Sequence, residues 1–161
     1  SVSTNAIDNQ KIWAGLKLTN DQLVATDANQ AFFKFQTDAT NSEAFTDFTL
    51  LHFVHSIAGT DYISALPITV AANTTYHLKV VIDGDRKATI FVNGQQYNVT
   101  DTSGSTGGTA VTAVSEGATV TKTAALTDDV DFIPYIGVEA GAAAAEALDV
   151  HYQAINRIIF E

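Results

Sequence analysis

Four histidines, eighteen carboxylates and eight lysines and arginines are the side chains that could carry chemistry in this 161-residue chain. His52 and His55 stand three apart in Phe48 to Ile57 (FTLLHFVHSI). That spacing shares one face of a helix but falls on opposite faces of a strand. The stretch is apolar on both faces, which suits a central strand, so the two imidazoles should diverge. His77 and His151 sit on other strand-like stretches, each facing away from the main apolar row. A three-histidine metal site would need residues from separate strands to coincide.

The carboxylates offer two further chemistries. Asp128, Asp129 and Asp131 cluster before Phe132, and such spacing on a loop can supply two or three of the oxygens that calcium requires. Asp83 and Asp85 flank Gly84, where the demands of a turn explain Asp-Gly-Asp more economically. Neither cluster continues into the full calcium-loop pattern with its terminal bidentate Glu. Calcium at Asp128, Asp129 and Asp131 is therefore a weak candidate, and no other cofactor is implied. Glycoside hydrolysis needs two carboxylates across a cleft, at a separation fixed by mechanism. Glu139 and Glu146 are separated by a glycine and an alanine run, and no E-x-D-x-E run exists. G-x-S-x-G, a cysteine nucleophile and a phosphate-cradling glycine loop are also missing from the sequence. No catalytic residue is nominated, and the expectation is a protein that is not an enzyme.

Aromatic rings could stack on sugars, and Trp13, Tyr62, Tyr97 and Tyr135 are the available set. Nothing in their spacing places them on a common platform, so packing in a core or an interface is the preferred reading. Asn73-Thr74-Thr75 and Asn98-Val99-Thr100 match the glycosylation sequon, a frequent coincidence in a chain rich in Asn and Thr.

The surrounding composition narrows the choice. A formal charge of −10 argues against direct binding of nucleic acid, whose phosphates are met by clustered Lys and Arg. Without cysteine there are no disulfides, thiolate sites or iron–sulfur clusters. Without an initiator Met, the expectation is a processed chain or a segment of a longer one. Ser1 to Gln10 lacks the basic start and apolar stretch of a secretory signal, and no apolar run approaches membrane-spanning length. Low charge and abundant β-branched residues describe a β-rich chain.

Those side chains must be positioned by strands. In Lys11 to Thr19, Ile12, Ala14, Leu16 and Leu18 share one face, with Trp13, Lys17 and Thr19 on the other. Ala31 to Gln36 places Phe33 and Phe35 opposite Phe32 and Lys34. Tyr62 to Val70 is strand-like, but Pro67 favours an edge or an interruption. Thr75 to Asn93 predicts a hairpin about Asp83-Gly84-Asp85-Arg86, and Asn93-Gly94 predicts a second turn leading to Gln95 to Val99. Phe132 to Ala140 and Leu148 to Phe160 predict the closing strands, and Gly141 to Ala147 connects them.

Residues 101–126 differ, being rich in Thr, Gly, Ser and Ala. They read either as a disordered loop or as a projecting hairpin arm, turning at Ser115-Glu116-Gly117 and studded with Val111, Val114, Val120 and Leu126. The arm reading makes these four residues an intersubunit contact. The organisation is then an N-terminal extension over residues 1–10 and a single β-sandwich domain over 11–160, with 101–126 inserted.

Val70 to Gly94 (VAANTTYHLKVVIDGDRKATIFVNG) resembles the central hairpin of concanavalin A-like, laminin-G-like jelly-roll sandwiches. Phe132 to Val138 is similar to the next inner strand of that family, and Leu148 to Arg157 to its closing strand. More narrowly, Trp13 to Thr19 and Ala25 to Phe33 resemble jelly-roll domains of tailed-bacteriophage particle proteins. The resemblance implies an all-β, antiparallel two-sheet jelly-roll β-sandwich carrying a projecting Thr/Gly/Ala-rich arm. It also implies a non-enzymatic virion structural protein, foremost a capsid decoration or cement protein on the exterior of the head. Its partners would be the major capsid protein or neighbouring copies in a homo-oligomer, with no nucleic acid or membrane. The alternative is a carbohydrate-binding or adhesion module of the same fold, in a tail or fibre, contacting glycans through Trp13, Tyr62, Tyr97 and Tyr135. Such sandwiches usually carry a strand before the one at Lys11. Residues 1–10 are a poor substitute for it, so a neighbouring chain or a longer polypeptide is expected to supply it.

Overall fold

The computed structural model describes residues 1–37, 49–104, 108–141 and 146–156. Eleven strands follow in chain order: β1 (Val2–Thr4), β2 (Gln10–Lys17), β3 (Gln30–Gln36), β4 (Leu50–Ile57), β5 (Thr60–Thr69), β6 (Leu78–Ile82), β7 (Ala88–Val92), β8 (Gln95–Tyr97), β9 (Thr109–Ala110), β10 (Ile133–Ala140) and β11 (Leu148–Val150). The one helical piece among the described residues is a single 3-10 turn at Val24–Thr26.

Period-two alternation, with both faces of the central strands covered, produces a six-stranded sheet in the order β10-β2-β3-β4-β5-β9. Every pairing in it is antiparallel except the two-residue β5–β9 contact. Pro67 lies where the β4–β5 register shifts, between the pairs Leu50–Thr69 and His52–Ala65. The interruption expected of a residue without an N–H falls at that irregularity.

The β6–β7–β8 meander forms the facing layer. Asn93 and Gly94 both take positive φ, 51° and 82°, as a tight two-residue hairpin turn requires. In the preceding turn Arg86 takes the left-handed conformation, at φ 60°, rather than the glycine. Asp83 organises that turn, its carboxylate accepting from the N–H groups of Asp85 and Lys87 at 3.0 and 2.9 Å. Phe33, Phe35, Leu51 and Phe53 of the larger sheet and Ala88, Ile90 and Val92 of β7 belong to one buried cluster. The chain is thus all-β, with two layers packed across a shared apolar core.

Residues 1–10, read as an N-terminal extension, contain a strand of their own. β1 pairs antiparallel with β11, matching Val2 with Val150 and Thr4 with Leu148, and both Val2 and Thr4 are buried. Val2 also exchanges two backbone hydrogen bonds with Tyr76, at 2.9 and 2.8 Å. A short strand thus precedes β2 within the chain itself. Three residues are too few to show periodicity, and their partners lie more than seventy residues away.

Residues 101–126 also depart from expectation, because their described parts do not project. Val111 N–H donates to Ala65 O, Val114 N–H to Gln96 O, Thr123 N–H to Ala88 O and Leu126 N–H to Arg86 O. The turn at Ser115 to Ala118 is present, with Gly117 at φ 75°. Both limbs lie flat on the domain, and Leu126 is buried in the core. Small Thr and Ala side chains let the backbone approach close enough to use the sheets' spare carbonyls. The closing strand is shorter than expected. β11 ends at Val150, and beyond it His151 N–H donates to Ser1 O. Residues 142–145 of the Gly141 to Ala147 connection, and 157–160 of the last predicted strand, lie outside the described residues.

Candidate functional site

The densest collection of polar groups lies where the sequence nominated none, on the face of the six-stranded sheet turned away from the shared core. Trp13 and Lys17 of β2, Gln30, Phe32 and Lys34 of β3, and His52, Val54 and Ser56 of β4 line this face by register. Residues 18–29 close over it, and all of these side chains are buried.

Asp27 is the hinge of that cover. Its carboxylate accepts from Leu18 N–H, Thr19 N–H and Thr19 Oγ1–H at 3.3, 3.2 and 2.9 Å. The same carboxylate meets the Lys17 ammonium at 3.3 Å, with both side chains essentially inaccessible. Lys17 Nζ also donates to Gln30 Oε1 at 2.5 Å and lies 4.2 Å above the Phe32 ring. The Gln30 amide N–H groups donate to Val24 O at 2.6 Å and to Ser56 Oγ at 2.8 Å. Ser56 Oγ–H in turn donates to Asp61 Oδ1 at 2.6 Å. Lys34 Nζ donates to the main-chain and side-chain oxygens of Gln22, at 2.8 and 3.2 Å. Trp13 Nε1–H closes the set on Asn20 Oδ1 at 3.1 Å. Glycine makes room for these large groups: a Cβ at Gly15 would meet Phe32 Cα at 2.5 Å, and one at Gly137 would meet the Trp13 ring at 2.1 Å.

The histidines separate as the strand reading expects. His52 is buried on the polar face, whereas His55 belongs to the core face of the same strand. His55 stacks on Tyr62 at 4.6 Å and 5° and lies 6.0 Å from the Phe53 ring. Neither of its ring nitrogens has a hydrogen-bond partner in the structure. Burial penalises the charged ring and pushes its pKa down to about 4. His151 Nε2 lies 2.9 Å from Ser3 Oγ, and His77 is exposed.

The three aspartates read as calcium ligands do not converge. Asp128 pairs with Arg86 at 2.8 Å and accepts from Asp129 N–H, and Asp129 takes positive φ, 55°. Among the described residues no three His, Cys, Asp or Glu are arranged to hold an ion. Glu139 pairs with Lys11 at 2.9 Å across β10 and β2. The four rings nominated for sugar stacking are dispersed. Trp13 is buried beneath the 18–29 cover with Tyr135 packed against its cluster, Tyr62 stacks on His55, and Tyr97 packs on the main core. Of the four residues assigned to the arm, Leu126 is buried and Val111 packs on the main core, while Val114 and Val120 remain partly exposed.

One cavity of about 30 Å³ lies between β1, β11 and the core, lined by Val2, Ile12, Phe33, Leu51, Tyr76 and Leu148 among others. That is about the room of one water, but the lining offers almost no polar partner to hold one.

The sequence signal for the polar layer was the company kept by Lys17 and Lys34. A solvated strand face does not usually carry Trp13 and Phe32 beside its lysines. Comparison with protein-family models, with curated proteins and with solved structures gave no match.

Proposed function

We propose that the chain is a non-enzymatic structural protein of a bacteriophage particle, a capsid decoration protein displayed on the exterior of the head. Its fold, on this reading, is the jelly-roll form of the two-layer sandwich, of the concanavalin A-like kind. Two bridges support that finer assignment by lengthening the three-stranded layer: Val2–Tyr76 joins the β1–β11 pair to the approach of β6, and Tyr97–Ala113 adds a partner beyond β8.

The observation that carries the role is the placement of exposed apolar side chains. Val150, Tyr152 and Ile155 are 48, 68 and 67% exposed, and they follow one another along β11 and the segment after it. The two ends of the described chain meet there, where the Ser1 ammonium donates to Tyr152 O at 2.5 Å. An apolar strip on a chain of net charge −10 is suited to attachment. The partner would be the major capsid protein, or a neighbouring copy in a symmetric oligomer.

The test is co-sedimentation of the purified protein with decoration-free capsids of the phage that encodes it, followed by image reconstruction. Stoichiometric density at symmetry-related positions, weakened by Tyr152→Asp and Ile155→Asp, is the expected result. Absence of capsid binding together with selective capture of a glycan on an array would overturn the proposal in favour of the adhesion module.

A further inference from the structure

Beyond any role in a particle, the Lys17–Asp27–Gln30 triad has the composition and geometry of a site for covalent self-modification. An amine, a carboxamide and a carboxylate are held together out of water, at 0, 0 and 3% exposure. The Lys17 nitrogen stands 2.5 Å from the carboxamide oxygen of Gln30. With a C=O bond of about 1.2 Å, the carboxamide carbon then lies within about 3.7 Å of that nitrogen. This approaches the separation of about 3–3.5 Å at which intramolecular reactions gain most from proximity.

We propose that Lys17 and Gln30 form an intramolecular isopeptide bond, with Asp27 as the proton acceptor. The Asp27 carboxylate, 3.3 Å from Nζ, takes a proton from the ammonium and frees its electron pair. That pair attacks Cδ of Gln30, and the carbonyl π electrons move onto Oε1. Collapse of the tetrahedral intermediate breaks the Cδ–Nε2 bond. Nε2 takes the proton held by Asp27 and leaves as ammonia, and the second proton that Nζ gives up converts that ammonia into an ammonium ion. The balance is one ammonium and one carboxamide converted into one secondary amide and one ammonium ion, with no oxidant, reductant or metal.

The surroundings give each group a separate part. Three hydrogen bonds from Leu18 and Thr19 fix the position of the Asp27 carboxyl group beside Nζ. Val24 O and Ser56 Oγ hold the departing nitrogen, fixing the carboxamide so that its oxygen faces Lys17. The Phe32 ring closes the space above the amine. The product would tie the end of β2 to the start of β3, at the base of the 18–29 cover, in a chain that has no cysteine for the purpose.

Denaturing mass spectrometry of the full chain, after purification and incubation at neutral pH, tests the proposal without a variant. The expected main species is lighter than the sequence mass by about 17 Da, the mass of ammonia. After trypsin, residues 12–34 should appear as one peptide carrying that loss and resisting cleavage after Lys17. Resistance at Lys17 separates the bond from ammonia loss at an Asn-derived succinimide, which leaves Lys17 cleavable. Asp27→Asn should keep the sequence mass while retaining a folded circular-dichroism spectrum. A wild-type chain that stays at its sequence mass and is cleaved at Lys17 would overturn the proposal. So would a loss of about 18 Da in the same peptide, which makes Asp27 the electrophile.

Discussion

The two faces of the six-stranded sheet are built from the same strands by opposite means. On the core face, Phe33 and Phe53 meet edge to face at 5.4 Å and 61°, within a cluster of aliphatic and aromatic side chains. On the other face, Lys17, Gln30 and Lys34 are equally inaccessible, yet they are met by hydrogen-bond acceptors and donors and by the face of the Phe32 ring. The first face is held by area and shape, which tolerate many sequences of similar volume. The second is held by matched donors and acceptors, which tolerate few. The comparison teaches that a short irregular cover can be fixed in place without a second sheet, provided that each buried polar group finds its partner.

Breaking the apolar face should cost most. Phe53→Ala removes a fully buried ring and is expected to lower stability by about 3–5 kcal/mol in urea denaturation. On the polar face, Asp27→Ala leaves the Lys17 ammonium buried without its carboxylate and should cost about 3 kcal/mol or more by the same measurement. Lys17→Met should cost less than Asp27→Ala, because a methionine fills the space without bringing a charge.

His55 sharpens the comparison from within the core face, as a polar ring treated as an apolar one. Its folded pKa of about 4 lies below the ordinary 6.5. Between these values the unfolded chain binds a proton that the folded chain refuses. Stability should therefore fall as pH drops from about 6.5 to 4, by about 3 kcal/mol in total from this residue, and its contribution should level off below. His55→Phe should remove that portion of the acid sensitivity, read as the difference between the two proteins' urea midpoints across pH. The smallest effect is expected at the rim. Lys11→Ala breaks the partly exposed pair with Glu139, and the change should be under about 1 kcal/mol.

How much of this was legible depended on whether a signal was local. The β6–β7 hairpin and the Asn93-Gly94 turn were readable because partner and turn sit in one short window. The divergence of His52 and His55 followed from the period of a strand alone. β1 was not readable, since Val2 and Thr4 gain their meaning from Tyr76 and β11, far along the chain. Residues 101–126 read as projecting because their partners, backbone and side chain alike, lie on β5, β7 and β8 and the turns beside them, outside the window in which composition is read. The polar layer was not legible. Lys17 and Lys34 share a strand face with Trp13 and Phe32 in the alternation, but nothing local marks them as buried, and several of their partners come from a cover of no periodic pattern.

A double-mutant cycle across Lys17 and Asp27 tests most directly whether the polar face is held by matched groups. Stabilities of the wild type, Lys17→Met, Asp27→Ala and the double variant would be measured by urea denaturation at neutral pH. Strong coupling is expected, with Asp27→Ala costing at least about 1 kcal/mol less in the Lys17→Met background than in the wild type. Simple additivity of the two single costs would contradict it.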